Sequence, residues 1–218
     1  GAGLVFLGVP ESIYGIEAVK LNEPVIFPLP DAGGRLSVDA VPEILTRFPQ
    51  MDAVLVGPGL GQSEGTLAVV RAVLEKAECP VVVDADGINV LSAHRDLLRG
   101  RKLPTILTPH DGEFARLTGR MPGEDRLGEA RDFAAAHGCC LVLKGHRTIT
   151  AFPDGAVFLN STGNPGMAKG GSGDALAGMI LSFLAQGLPA RRAVPLAVYC
   201  HGLAGDLAAG ALGEYGMT

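Results

Sequence analysis

Six short apolar runs, at residues 4–9, 25–29, 53–56, 80–83, 105–107 and 140–143, constrain the fold of this chain more than any other feature. Several are continuous rather than alternating, the pattern of strands covered on both faces. Helix-period segments separate them, most clearly over 64–78 and 126–137. Strand, helix, strand in repetition predicts an α/β fold, a doubly wound, mostly parallel sheet flanked by helices. Residues 148–159 depart from that rhythm: two β-rich pieces flank Pro153-Asp154-Gly155, a turn signal that predicts a small antiparallel edge hairpin. Residues 175–184 are apolar all round and predict a helix buried on most faces. Gly187-Leu188-Pro189 ends it, and a second helix is expected over 190–209, frayed by Gly210 and Gly213.

Composition narrows the function classes. A chain of 218 residues, 47% hydrophobic and 19% charged, has enough material for a large core, burying roughly 70% of its unfolded surface. No interdomain linker or internal repeat is visible. Lys and Arg number 18 against 23 Asp and Glu, a net charge of −5 with no basic block, and aromatics are 5% with no Trp. A phosphate-neutralising grip on nucleic acid and a stacking platform for single strands are both disfavoured. No apolar run approaches the roughly 18 residues of a membrane span. Cys79, Cys139, Cys140 and Cys200 lie in apolar contexts without C-x-x-C spacing, which reads as reduced core thiols of a cytoplasmic protein rather than zinc ligands or a disulfide frame.

Almost every unusual cluster directly follows a strand: Gly57-Pro58-Gly59-Leu60-Gly61, Asp84-Ala85-Asp86-Gly87, Thr108-Pro109-His110-Asp111-Gly112-Glu113, and Lys144-Gly145-His146-Arg147-Thr148. In a parallel sheet these turns share the carboxyl edge, where open α/β folds place ligands. The most distinctive run is Gly163-Asn164-Pro165-Gly166-Met167-Ala168-Lys169-Gly170-Gly171-Ser172-Gly173-Asp174, which leads straight into the apolar helix. Glycines let backbone N–H groups approach an oxyanion, and a helix N-terminus adds unpaired donors and the positive end of a dipole. The order of residues is neither that of the Walker loop nor that of the dinucleotide fingerprint. Asp174 is an anion set where a phosphate would be cradled. It suits a base that takes a proton from an attacking hydroxyl.

Each cluster also has a plain structural reading. Gly57 to Gly61 could be only a tight turn. Asp84 and Asp86 could cap the next helix instead of sharing Mg²⁺. His110 could be a capping or solvated histidine, Glu113 an ordinary first-turn acid, and Lys144 a surface lysine. Gly170 to Asp174 could be a glycine-rich helix start capped by Asp174. Convergence on one sheet edge favours the functional readings together. His94, His137 and His201 have no matching partners in the sequence and read as surface or core histidines.

These five blocks, in this order and across essentially the whole chain, resemble the ADP/ATP-dependent NAD(P)H-hydrate dehydratases, a branch of the ribokinase-like superfamily. The resemblance implies a single ribokinase-like domain over 1–218, with a further strand, loop and helix expected ahead of Gly1 and a last helix beyond Thr218. It implies a repair reaction: hydrated NADH or NADPH (NADHX, NADPHX) is dehydrated at the expense of ADP or ATP, by phosphorylation of the ring hydroxyl and elimination of phosphate. Asp174 would be the base and would also touch substrate. Gly170, Gly171, Ser172 and Gly173 would form the anion hole. Lys144, Gly145, His146, Arg147, Thr148 and Gly173 would hold nucleotide, and Gly59, Gly61 and His110 the hydrate. Glu113 stands where the superfamily's acid helps organise Mg²⁺. His110 follows Thr108-Pro109 where many kinases of the superfamily carry Asn, which favours the dehydratase branch. A homo-oligomer is expected, with neither nucleic acid nor membrane as partner. The competing readings are a small-molecule kinase acting on a vitamin precursor or sugar-like alcohol, and a nucleotide sensor without chemistry.

Overall fold

The computed structural model of the chain describes residues 2–217. It opens with β1 (Phe6–Pro10), α1 (Glu11–Lys20) and β2 (Val25–Leu29), then a short hairpin of β3 (Asp31–Ala32) and β4 (Arg35–Leu36), then α2 (Ala40–Arg47). The central part alternates: β5 (Val54–Val56), α3 (Glu64–Lys76), β6 (Val81–Val83), α4 (Asp86–Leu91), β7 (Thr105–Leu107), α5 (Asp111–Thr118), α6 (Arg126–His137) and β8 (Cys140–Leu143). Then come β9 (Ile149–Ala151), β10 (Val157–Leu159), α7 (Ser172–Ala185) and α8 (Ala190–Leu212). Six strands form one sheet in the order β10-β9-β8-β7-β6-β5. β5 to β8 are parallel, while β9 and β10 add the antiparallel edge around the 153–155 turn.

Continuous apolar strands demand cover on both faces, and the register supplies it. Val81, Val83, Leu107, Leu141 and Leu143 face one side, packed with residues of α3, α4, α5 and α6 such as Val70, Leu91, Phe114 and Ala134. Val82, Ile106, Cys140 and Val142 face the other, against Leu176, Ile180, Ala193 and Ala197 of α7 and α8. The period of two along each strand thus sorts neighbouring residues into two separate cores.

Three details differ from the pattern. The runs at 4–9 and 25–29 become strands, but they pair in parallel with each other as a separate two-stranded ladder. Pro10 and Pro28 lie in this ladder, each without an N–H to offer a further strand. α7 is fully buried only at Leu176, Ala177, Ile180 and Leu184, because the sheet and α8 cover one side of it; the rest is half-covered, with Asp174 and Ala175 exposed. α8 runs through Gly210 to Leu212 and ends at Gly213, whose φ of 74° breaks the helix.

The sheet centre carries the stability. Leu141 is wholly buried and Leu127 is 41% exposed. Leu141→Ala is expected to cost about 2–5 kcal/mol in denaturant unfolding, and Leu127→Ala within about 0.5 kcal/mol.

Candidate active site

The carboxyl edge is built from turns that fit into one another. Gly57 has φ 132°, and a side chain there would overlap the Asp84 carbonyl, so the turn after β5 closes only with glycine. Gly87 lies in the same contact: a Cβ placed on it would stand 3.2 Å from the Gly57 Cα. Between them Ala85 takes φ 49° and ψ −119°, a strained conformation for a residue with a side chain. Asp84 and Asp86 make no cap: the residue at the N-cap of α4 is Ala85, and no side chain caps that end. Asp86 instead accepts from the Gly61 N–H (2.8 Å) and from Asn89 Nδ2 (3.1 Å), while Asn89 Oδ1 accepts from Arg116 Nε (2.7 Å). That chain ties the glycine turn bearing Gly59 and Gly61 to α5, whose first turn follows His110.

Lys144 is the hub. It leaves β8 and is largely buried, its ammonium 3.1 Å from Asp84 Oδ1 and 3.8 Å from Glu113 Oε2. The same ammonium lies 3.2 Å from where a Cβ on Gly173 would be. One cation therefore joins the turns after β6, β7 and β8 to the start of α7. The surface-lysine reading of Lys144 does not hold. Asp84 is 1% and Glu113 5% exposed, and buried carboxylates need such a partner.

His110 does cap. Its Nδ1 accepts from the N–H groups of Gly112 (3.0 Å) and Glu113 (3.3 Å), and Glu113 Oε2 accepts from the His110 N–H (2.9 Å), a reciprocal capping box. Two donors on Nδ1 leave the proton of the neutral ring on Nε2, which lies 3.6 Å from Glu113 Oε1 on a side chain that is more than half exposed. Capping and a contact to a ligand through Nε2 are thus compatible. The loop after β8 is held by Lys144 N–H to the Pro109 carbonyl (2.8 Å) and by Thr148 Oγ1 to the Gly145 carbonyl (3.1 Å). Gly145 (φ 153°) and Arg147 (φ 57°) give it its bend, and Gly145, His146 and Arg147 are exposed. Arg126 braces it from below, donating to Asp111 (2.7 Å) and to the Lys144 carbonyl (3.3 Å).

At α7 the N-cap is Gly171, with φ 85° and no side-chain cap, so Asp174 does not cap the helix. Gly171 and Asp174 are exposed, Ser172 and Gly173 half-buried. The first-turn N–H groups of a 14-residue helix are left to face the crevice beside Lys144. His201 of α8 joins them, its Nε2 3.5 Å from Ser172 Oγ. Burial pushes the His201 pKa below the usual value, the Ser172 contact opposes that, and the Lys144 charge adds to the lowering. Burial thus favours the neutral imidazole.

Sequence reasoning missed His201 and Arg126. The readable signal for His201 lay in Gly202 and Gly205, two glycines in a helix interior, each costly there unless another backbone comes close. Nothing local marked Arg126, because its partners are 15 and 18 residues away. All four cysteines are free thiols. Burial pushes Cys139 up to about 12 and raises Cys140 strongly, which removes both as nucleophiles. Among the described residues no group of three or more His, Cys, Asp or Glu is placed to hold a metal, and no helix is long and apolar enough to cross a membrane.

The hub has a measurable signature. Lys144→Met strands the buried Asp84 carboxylate and is expected to cost about 3–5 kcal/mol at pH 7. Paired denaturant titrations of the variant and wild type read that loss.

The whole chain, residues 1–218, matches the family described as NAD(P)H-hydrate dehydratase. It is 44% identical over 221 residues to the bifunctional NAD(P)H-hydrate repair enzyme Nnr of Moorella thermoacetica, covering 100% of this chain and 42% of that protein. The chain thus spans about two fifths of the length of this curated relative. The crystal structure of the ADP/ATP-dependent NAD(P)H-hydrate dehydratase from Bacillus subtilis, co-crystallised with ATP/Mg²⁺, superposes with TM-score 0.77 at 35% identity, over 95% of this chain and 71% of that one. A ribokinase-like superfamily protein from Enterococcus faecalis superposes with TM-score 0.81 at 30% identity, over 96% and 71%. A family match over its full length, on a ribokinase-like fold with an uncapped glycine-rich helix start beside a buried lysine, makes this chain a member of the NAD(P)H-hydrate dehydratase family.

Proposed function

We propose that this chain restores NADH and NADPH from their hydrates in a nucleotide-dependent reaction, by phosphorylating the ring hydroxyl and eliminating phosphate. The observation that carries the reading is the start of α7: N–H groups, unpartnered among the described residues, at Gly170 and Gly171 ahead of the helix and at Ser172 and Gly173 in its first turn, Asp174 in the same turn, and the Lys144 ammonium beside Gly173. A ring hydroxyl is a poor leaving group, and its phosphate ester is a good one. The hydroxyl oxygen attacks the terminal phosphorus of ADP or ATP while Asp174 takes its proton, and AMP or ADP departs with the bridging oxygen. The N–H groups and Lys144 stabilise charge on the transferring phosphoryl oxygens. Phosphate then leaves with the C–O electron pair, a proton is lost from the neighbouring ring carbon, and the double bond re-forms.

Lys144, Gly145, His146, Arg147 and Thr148 form a bent loop, exposed at Gly145 to Arg147, that is suited to the nucleotide. Gly59 and Gly61, after β5, and His110, after β7, follow strands at the same edge and are suited to the hydrate. Mg²⁺ brought in on nucleotide phosphates fits this site better than a resident ion, since two carboxylates, Asp84 and Glu113, share one ammonium and no third acid joins them among the described residues. Those two residues would hold it, and it would supply charge neutralisation to the phosphates. The B. subtilis relative is named ADP/ATP-dependent, which supports either nucleotide as co-substrate.

Two experiments test the reading. Purified protein given prepared hydrate, ADP or ATP and Mg²⁺ should recover the reduced-nicotinamide absorbance, and Asp174→Asn should slow it by roughly 10²–10⁴ with nucleotide binding retained in calorimetry. Equal recovery without nucleotide would refute the phosphorylation route, and turnover of a vitamin-precursor alcohol in place of hydrate would establish the kinase reading. His110→Asn keeps an N-cap side chain but loses Nε2–H, so KM for hydrate should rise while the thermal midpoint and nucleotide affinity stay near wild type. A rise in nucleotide KM alone would move His110 to the nucleotide side.

A further inference from the structure

Thr162 to Met167, ahead of the anion-binding turn, lean on one face of α8, with Asn160 bonded to Thr162 and Glu214 beyond the helix close to Gly166. Asp206 Oδ2 accepts from the Gly163 N–H (2.9 Å) and its Oδ1 accepts from Asn164 Nδ2 (3.1 Å). Asn164 Oδ1 in turn accepts from the Gly166 N–H (3.0 Å), and Thr162 Oγ1 donates to the Tyr199 carbonyl (2.9 Å). Gly202 and Gly205 are flush with the loop: a side chain on the first would overlap Thr162 and on the second the Met167 thioether. His201 meets Ser172 at the far end. Spacings of one, four and five residues put His201, Gly202, Gly205 and Asp206 on one side of a helix.

We propose that this face is a latch that sets the position of the anion-binding turn, and that Asp206 is its positioning residue, acting through Gly163 and Asn164. This deepens the dehydratase reading and rests on it. Asp206 is not a packing residue. It is half-buried, and the Gly163 N–H, followed by Asn164, holds its carboxylate below the usual range. The segment from 160 to 171 contains Gly163, Gly166, Gly170 and Gly171, with φ of 101° at Gly163 and 85° at Gly171. Such a segment has many competing conformations. Phosphoryl transfer depends on placing the donors to within a fraction of an ångström. A carboxylate can accept from both donors at once, which a neutral amide in the same place does only by giving up one of them.

The test reverses the pair. Asp206→Asn alone sets two amide donors against each other, and Asn164→Asp alone sets two carboxylates against each other. The double variant Asn164→Asp/Asp206→Asn restores the contact with donor and acceptor exchanged. The amide introduced at position 206 accepts from the Gly163 N–H through its oxygen and donates through its nitrogen to the carboxylate introduced at position 164, which still accepts from Gly166. Each single variant should lower kcat about 10- to 100-fold with hydrate KM changed less than about threefold, and the double variant should return to within about threefold of wild type. Amide hydrogen exchange of residues 162–173, followed without substrate, should be faster in the single variants and slow again in the double. A double variant no better than the worse single, or kcat per folded molecule unchanged in the singles, overturns the latch. If wild type itself does not act on hydrate, the dehydratase reading fails and exchange alone decides: unaltered exchange in both singles refutes the latch, and loss with recovery in the double upholds it.

Discussion

The contact on which the rest of the site depends is the largely buried pair between the Lys144 ammonium and the Asp84 carboxylate. Asp84 follows β6 and Lys144 follows β8, so the pair spans the strand between them. It draws in Glu113 from the first turn of α5 and reaches Gly173 at the head of α7. Four segments from distant parts of the chain meet on one charge. Any of the buried acids without that cation would face a desolvation penalty of several kcal/mol. An arrangement needed to keep the edge stable is therefore also the one that sets a positive charge beside the glycine-rich start of α7.

Around that pair the edge is closed by backbone rather than by side chains. Gly57 and Gly87 allow two strand-to-helix turns to touch, Ala85 carries the strain of the bend, and Asp86 fastens the neighbouring glycine turn. On the other side of the crevice α8 does the same for the long loop, through Thr162, Gly163 and Met167. The two sides differ in chemistry. One is pinned by strands and a buried ion pair. The other leans on a helix surface through exposed hydrogen bonds, and is the side with more freedom to move.

Several residues do two things at once, which is why their plain and functional readings were hard to separate beforehand. His110 caps α5 through Nδ1 while more than half of its side chain stays exposed. Glu113 completes that capping box and shares Lys144. Asp84 and Asp86, a pair suited to capping, do not cap at all: one neutralises a lysine 60 residues on and the other binds a turn 25 residues back.

Apolar periodicity foretold the strands of the central sheet and the helices expected over 64–78 and 126–137, the first ending at Lys76, and the Pro-Asp-Gly turn foretold the antiparallel edge, because burial on two faces leaves continuous runs and a hairpin needs its turn. The clusters after the strands were legible for the same reason, since parallel strands send every such turn to one edge. The partners of those clusters were not. That Lys144 turns inward, that Arg126 braces its loop, and that His201 and Asp206 reach the glycine segment depend on contacts spanning 15 to 60 residues. Local pattern records which face of an element is apolar. Which polar groups meet across the crevice is decided only when the layers pack and each buried donor or acceptor must find a partner.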